Sequence, residues 1–231
     1  MAGFAGPNII TDKLVLSLDA ANTNSYAGIG TTWNDLSGEV DHATLVNSPT
    51  YSSNNRGYFD FDGTNDNANL PELSIAGNEL TFSVWNYGIQ AKSSSIIFLG
   101  DTGQSEGGRI LQIHLPWSSR YIYFDKGWDG SSYDRMFKRA TNSEYQGWHH
   151  WAFTANATTG SMKIYLDSAL WHSITGRTKT FSNVNGNVRK IATSHVGQYH
   201  RGYISNLQIY TKELSASEVL QNYNALKGRY V

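Results

Sequence analysis

Leu14-Val15-Leu16-Ser17-Leu18-Asp19 is the stretch that decides the fold. Its three leucines alternate with Val15, Ser17 and Asp19, and a period of two sends one set of side chains to a core and the other to the opposite face. Working outward, the same alternation recurs: Phe59 and Phe61 with Asp60 and Asp62, then Leu80, Phe82 and Val84 with Thr81, Ser83 and Trp85. Short apolar segments follow at residues 96–99, 110–115, 121–124, 148–155, 162–167, 169–174 and 203–210. Between them lie Ser37-Gly38, Asp62-Gly63, Gly107-Gly108, Asp129-Gly130, Thr159-Gly160 and Asn185-Gly186, pairs suited to tight turns. Many short strands punctuated in this way predict an all-β, two-sheet antiparallel sandwich rather than alternating β and α units. No repeat or low-complexity linker divides the chain, so residues 12–231 read as one domain preceded by a small, polar arm at residues 1–11.

The composition supports one domain and excludes several functions. A chain of 231 residues buries roughly 70–75% of its unfolded surface, enough to hold together without disulfides, and it contains no cysteine. The 18 Lys+Arg are balanced by 19 Asp+Glu with no basic run, which argues against nucleic acid. No apolar stretch reaches the length of a membrane span, so membrane insertion is not expected. Met1-Ala2-Gly3-Phe4-Ala5-Gly6-Pro7 lacks the charged and apolar regions of a secretory signal, and synthesis in a cytoplasm is the expectation.

One helix is predicted, near the C-terminal end. Ser215 followed by Glu218 forms a capping box, Leu214 and Val219 sit at staple positions, and Val219, Leu220, Tyr223 and Leu226 recur at helical spacing. Gly228 is expected to close it in a left-handed conformation, and the helix to cover an end or edge of the sandwich.

Six stretches in order carry a family likeness: Leu14–Ala20, Trp33–Gly38, Phe61–Asp66, Leu80–Trp85, Trp148–Thr154 with Lys163–Asp167, and Gly202–Tyr210 followed by Leu214–Glu218. Together they resemble the laminin-G-like branch of the concanavalin A-like lectin/glucanase superfamily, of the type found in bacteriophage virion proteins. The chain departs from that pattern twice: Ser168 replaces a turn glycine after Tyr165-Leu166-Asp167, and Asn67 replaces an aromatic after Asn65-Asp66. The resemblance implies a jelly roll that binds rather than catalyses. It further implies a decoration or fibre-type structural protein at the virion surface, made in the host cytoplasm. Its partners would be other virion or assembly proteins and cell-surface polysaccharide, and homo-oligomers are compatible with it.

A glucanase of this superfamily needs paired carboxylates on one strand face. Asp60-Phe61-Asp62 is the nearest approach, but it lacks Glu and runs into a turn, so no catalytic residue is assigned. Asp60, Asp62, Asn65 and Asp66 (with Asn69 beyond) offer hard oxygen ligands and are the candidate calcium site, although Asp and Asn are also ordinary turn formers. No cofactor is required by this reading. Among the histidines, His149 and His150 leave a strand on opposite faces, whereas His195 and His200 flank the Gly197 turn and can approach one another.

The richest stretch is Pro116–Phe137. Trp117, Tyr121, Tyr123, Trp128, Asp129, Tyr133 and Arg135 are the candidate glycan- or partner-binding residues. Aromatic rings stack on the C–H faces of sugars while carboxylates and amides bind hydroxyls; the same mixture suits a protein–protein hot spot, or merely covers a sheet. Trp148, Trp151, Phe153, Phe82 and Trp85 are expected in or near the core, because they sit in strands.

Overall fold

A computed structural model describes residues 7–101, 108–182 and 188–230. The expected turns at Gly107-Gly108 and Asn185-Gly186, and the first half of the arm, fall wholly or partly outside these residues.

Two antiparallel sheets face each other. In the first, the order is β14 (Ala169–Ile174), β13 (Ser161–Leu166), β12 (Gly147–Asn156), β7 (Glu79–Gly88), β16 (Arg201–Tyr210), β5 (Tyr58–Asp62) and β4 (Thr50–Ser52), with β1 (Leu14–Asp19) also pairing with β16. In the second it is β11 (Asp134–Arg139), β10 (Tyr121–Lys126), β9 (Leu111–His114), β8 (Ile97–Gly100), β15 (Val188–Ile191), β6 (Asn67–Asn69), β3 (Ala43–Val46) and β2 (Thr32–Trp33). Alternation does the sorting: Leu16, Phe59, Phe82, Val84, Trp151 and Phe153 from the first sheet meet Ile97, Leu99, Ile113, Ile122, Phe124 and Met136 from the second in one continuous core. A bulge in β16 between Ile204 and Asn206 resets the register, so that Ile204 and Leu207 both point inward.

Two helices join the sandwich. The four-residue α1 (Asn142–Tyr145) leads into β12, and Gly88 lies so close to it that a Cβ there would stand 1.9 Å from the Tyr145 carbonyl oxygen. The longer α2 (Ala216–Leu226) begins with the expected capping box: the Glu218 N–H donates to Ser215 Oγ at 3.3 Å, and the Ser215 N–H to Glu218 Oε2 at 2.8 Å. Its placement differs from expectation. Rather than covering an edge, α2 lies over the middle of the first sheet, with Asn222 Nδ2 donating to the buried Tyr210 hydroxyl at 2.9 Å and Tyr223 stacked on Trp85. Gly228 does not adopt a positive φ; the chain tightens into a short 3-10 turn (Lys227–Arg229), and Tyr230 stacks on Trp85 at 4.3 Å. Trp85 is therefore buried under the helix, outside the inter-sheet core.

The described part of the arm, residues 7–11, is held by the domain's own helix. The Ile10 N–H donates to Asn222 Oδ1 at 2.8 Å, Gln221 Nε2 donates to the Asn8 carbonyl at 2.8 Å, and Ile9 and Ile10 pack beside Leu14, Leu214 and Val219.

Candidate functional site

The outer face of the second sheet gathers most of the aromatic stretch. Because Ile122 and Phe124 turn inward, Tyr121, Tyr123 and Asp125 of β10 turn outward, and register places them beside outward residues of their neighbours. Tyr123 pairs with His114 on β9 and Phe137 on β11, and Asp125 pairs with Gln112 and Arg135. The β9–β10 hairpin contributes Trp117, whose N–H donates to the Tyr121 carbonyl at 2.8 Å. Its indole meets the His114 ring edge-on at 4.7 Å. Arg109, His114, Trp117, Tyr123, Arg135 and Gln198 line a depression of about 330 Å³, at the small end of the range for ligand pockets.

Its floor is electrostatic. Asp125 is fully buried and receives the Arg135 guanidinium as a fork, Nε to Oδ1 and Nη2 to Oδ2, both at 2.7 Å. Arg109 approaches the same carboxylate at 3.6 Å and hydrogen-bonds the Tyr133 hydroxyl. The Arg135 guanidinium also lies over the Tyr123 and Tyr133 rings, 4.9 and 5.1 Å from their centroids. Hydrogen bonding to Asp125 raises the Arg135 pKa further despite burial. His114 is the opposite case: burial lowers its pKa to about 4, and Nδ1 donates to the Ser94 carbonyl at 2.6 Å, so the ring facing the pocket is neutral.

Of the seven candidates, Trp117, Tyr123, Tyr133 and Arg135 converge here. Tyr121 extends the aromatic row with Phe137, its ring 5.7 Å away, and Phe137 is half exposed. The other two have different roles. Asp129 ties its own loop, accepting from the Ser131 and Ser132 N–H groups at 3.0 and 2.9 Å and pairing with Lys179 Nζ; that lysine bond holds its pKa well below the usual carboxylate range. Trp128 lies beside Tyr133, ring centroids 6.4 Å apart, outside the pocket lining. Sequence reading missed Arg109, His114, Gln112 and Gln198. They lie outside residues 116–137: strand register brings Gln112 and His114 there, and Arg109 and Gln198 arrive on the connections before β9 and between β15 and β16. Alternation within 110–115 was the one available signal, since it turns Gln112 and His114 away from Leu111 and Ile113.

The acidic loop is committed elsewhere. Asp62 Oδ1 accepts from the Thr64 and Asn65 N–H groups at 2.7 and 3.3 Å, as a turn former does, and these bonds lower its pKa although burial acts the other way. Asp60 pairs with Arg201 at 2.5 Å, and Lys92 Nζ donates to the Gly63 carbonyl. Burial, with Asp62 and Asp60 nearby, raises the Asp66 pKa. Arg201 thus engages one oxygen of Asp60, and the turn engages one oxygen of Asp62. Among the described residues, no three His, Cys, Asp or Glu side chains gather as a metal-holding group. His195 and His200 do not meet either: His195 packs on Phe98, and His200 Nε2 hydrogen-bonds Asn86 Oδ1 at 2.9 Å.

A second aromatic surface lies on the outer face of the first sheet, beyond the end of α2. Tyr203 stacks on Tyr58 and Tyr87 at 4.6 and 5.0 Å, and Trp148 closes the group. All four are half-buried, so Trp148, expected in or near the core, instead lies at the surface.

The fold and the pocket define a class: an antiparallel sandwich with a small aromatic and basic recess on one sheet. The chain belongs to the concanavalin A-like lectin/glucanases superfamily, whose profile matches residues 62–220. Among solved structures, the binding domain of botulinum neurotoxin DC, in complex with SialylT, superimposes with a TM-score of 0.70 at 16% identity, covering 94% of this chain and 52% of that one. The binding domain of Paraclostridial mosquitocidal protein 1 gives 0.71 at 14% identity, covering 93% and 52%. Botulinum neurotoxin type C, whose cell entry depends on interaction with two ganglioside molecules, gives 0.72 at 16%, covering 94% and 52%. The chain spans about half the length of these structures, and at such identities the likeness is one of fold. No curated protein matches the sequence.

Proposed function

We propose that the chain is a non-catalytic glycan-binding module, carried at the surface of a larger assembly of the virion type that its sequence resembles. The observation that supports glycan binding is the recess itself, which Trp117 and Tyr123 line together with the polar groups Arg135, His114 and Gln198. Rings supply C–H stacking and the polar groups supply hydroxyl recognition, in a volume suited to one sugar residue rather than a long chain. Three neighbours with this fold are binding domains or receptor-binding proteins, and two are described with a sialyl or ganglioside ligand, which favours the same reading.

A glycosidase reading receives no support from the recess. Hydrolysis needs two carboxyls across one glycosidic bond. The only carboxylate at the recess, among the described residues, is Asp125, and Arg135 holds both of its oxygens. The test is a glycan array probed with wild type and Trp117→Ala, with and without calcium. Wild type should retain a subset of glycans independently of calcium, and Trp117→Ala should weaken them about tenfold or more. Binding that survives Trp117→Ala unchanged would move the site elsewhere.

A further inference from the structure

The fold fixes which nitrogen of His114 carries the proton. Nδ1 lies 2.6 Å from the Ser94 carbonyl oxygen, which can only accept, so Nδ1 is the N–H. Burial keeps the ring neutral; Arg109 and Arg135 act in the same sense, and the Ser94 bond and Asp125 oppose it without prevailing. A neutral ring with its proton on Nδ1 has a lone pair on Nε2. That nitrogen accepts hydrogen bonds and cannot donate one.

Among the described residues, Nε2 has no hydrogen-bond partner, yet it is not sealed from solvent as the Nδ1 atoms of His150 and His200 are. His114 is only 4% exposed and lines the recess, so what surface it keeps opens there. Its orientation is held from several sides. The ring meets Trp117 and Tyr123 edge-on, with centroids 4.7 and 5.7 Å away. Ser95 Oγ stands 3.2 Å from Nδ1, accepts from Gln112 Nε2 at 2.8 Å and donates to Gln198 Oε1 at 3.4 Å. With its oxygen engaged by Ser95 and Gln112, Gln198 has its Nε2 donors left for a ligand in the recess it lines.

A recess that offers a lone pair together with N–H donors selects by proton. An ether, ester or carboxylate oxygen brings none and would set its own lone pair against that of Nε2. A hydroxyl brings one, and its oxygen can accept from Gln198 or Arg135 in return.

We infer that His114 reads a free hydroxyl: a sugar O–H donates to its Nε2, and the recess rejects the same sugar once that hydroxyl is removed or O-methylated. The substrate class is glycans with an unsubstituted hydroxyl at the position that enters the recess. This deepens the glycan-binding reading and rests on it.

The experiment uses the full, unaltered chain, nitrogen-labelled and followed by magnetic resonance at its histidine rings. Methyl β-galactoside, methyl β-glucoside and methyl α-mannoside are titrated in turn. Before any sugar is added, His114 should carry its proton on Nδ1 and none on Nε2; the opposite tautomer overturns the inference by itself. A sugar that binds, seen as saturable shifts at the Trp117 indole, should move the Nε2 resonance toward that of a hydrogen-bonded nitrogen while the proton stays on Nδ1. The monodeoxy and mono-O-methyl derivatives of that sugar are then compared. At one ring position both changes should weaken binding about tenfold, and Nε2 should no longer respond. Binding without a change at Nε2, or equal affinity across both series, overturns the inference while leaving a glycan-binding module standing. If none of the sugars shifts Trp117 or His114, both the inference and the reading beneath it fail for this recess.

Discussion

Asp125 shows how much one side chain organises. It has no exposure to solvent, yet it carries a charge and holds two arginines, one through a bidentate fork at 2.7 Å. Removing one partner of a buried pair leaves uncompensated charge and costs about 3–5 kcal/mol. Asp125→Ala should therefore lower the urea midpoint substantially and abolish the recess together with the fold's margin of stability; an unchanged midpoint would show that the pair is not structurally important. Such a residue was hard to recognise beforehand. Tyr121, Tyr123 and Arg135 are candidates because aromatics and arginine mark recognition surfaces, whereas Asp125 is not among them. Its role depends on Arg109, sixteen positions away, and on Arg135 across a strand pair that only register defines. Asp129 is the converse: its setting among turn formers already contained the better explanation, loop closure.

At the scale of elements, alternation of side chains carried most of the information. Leu14–Asp19, the strand around Phe82 and the strand ending at Tyr210 form where their period of two places them, because one face of each is buried against the opposite sheet. Short strands such as Asn67–Asn69 and Val188–Ile191 escaped notice, since three or four residues give too few periods to read. The capping box fixed where α2 begins, but its resting place and its C-terminal turn followed from tertiary contacts: Tyr223 and Tyr230 find Trp85, a contact no local signal encodes. The β13–β14 hairpin offers a direct test of local chemistry. Asp167 and Ser168 both have positive φ, 48° and 70°, and Asp167 supports the turn by accepting the His150 N–H at 2.9 Å and bonding His149 at 2.7 Å. Ser168 sits in this left-handed conformation, where glycine is the usual residue, without such support. Ser168→Gly should raise stability by up to about 1 kcal/mol, read as a higher Tm; a lower Tm would mean that the serine side chain contributes more than its backbone costs.

At the scale of the whole molecule, histidines couple the fold to pH. Burial lowers the pKa of His114 and His150 to about 4 and of His200 to about 3, against roughly 6.5 in an unfolded chain. Below about pH 6.5 the unfolded chain takes up these protons first. The stability that depends on neutral histidine is complete above that pH and declines as the pH falls toward 4, by up to about 1.4 kcal/mol per unit for each group. His149 runs the other way: burial opposes its charge, but the bond to Asp167 prevails and raises its pKa, so its contribution is present at low pH and fades as the pH rises through its folded pKa. Three groups against one predict a Tm that is nearly level from pH 8 to 7 and drops steeply between 6.5 and 4.5. A flat profile across that lower window would contradict the buried, neutral assignment. The same sandwich that hides these rings leaves two aromatic surfaces outside, the recess near Trp117 and the Tyr58–Tyr87–Trp148–Tyr203 group, and the first joins aromatic side chains to Arg135, His114 and Gln198 in a depression.

The most direct test is chemical-shift mapping of the labelled chain titrated with an oligosaccharide that it retains on a glycan array. The account predicts saturable shifts at the Trp117 indole N–H, the Arg135 side-chain N–H groups and the backbone of Tyr123, with the Trp148 indole unmoved. Saturable shifts centred on Trp148, Tyr87 and Tyr203, with Trp117 and Arg135 unaffected, would contradict it.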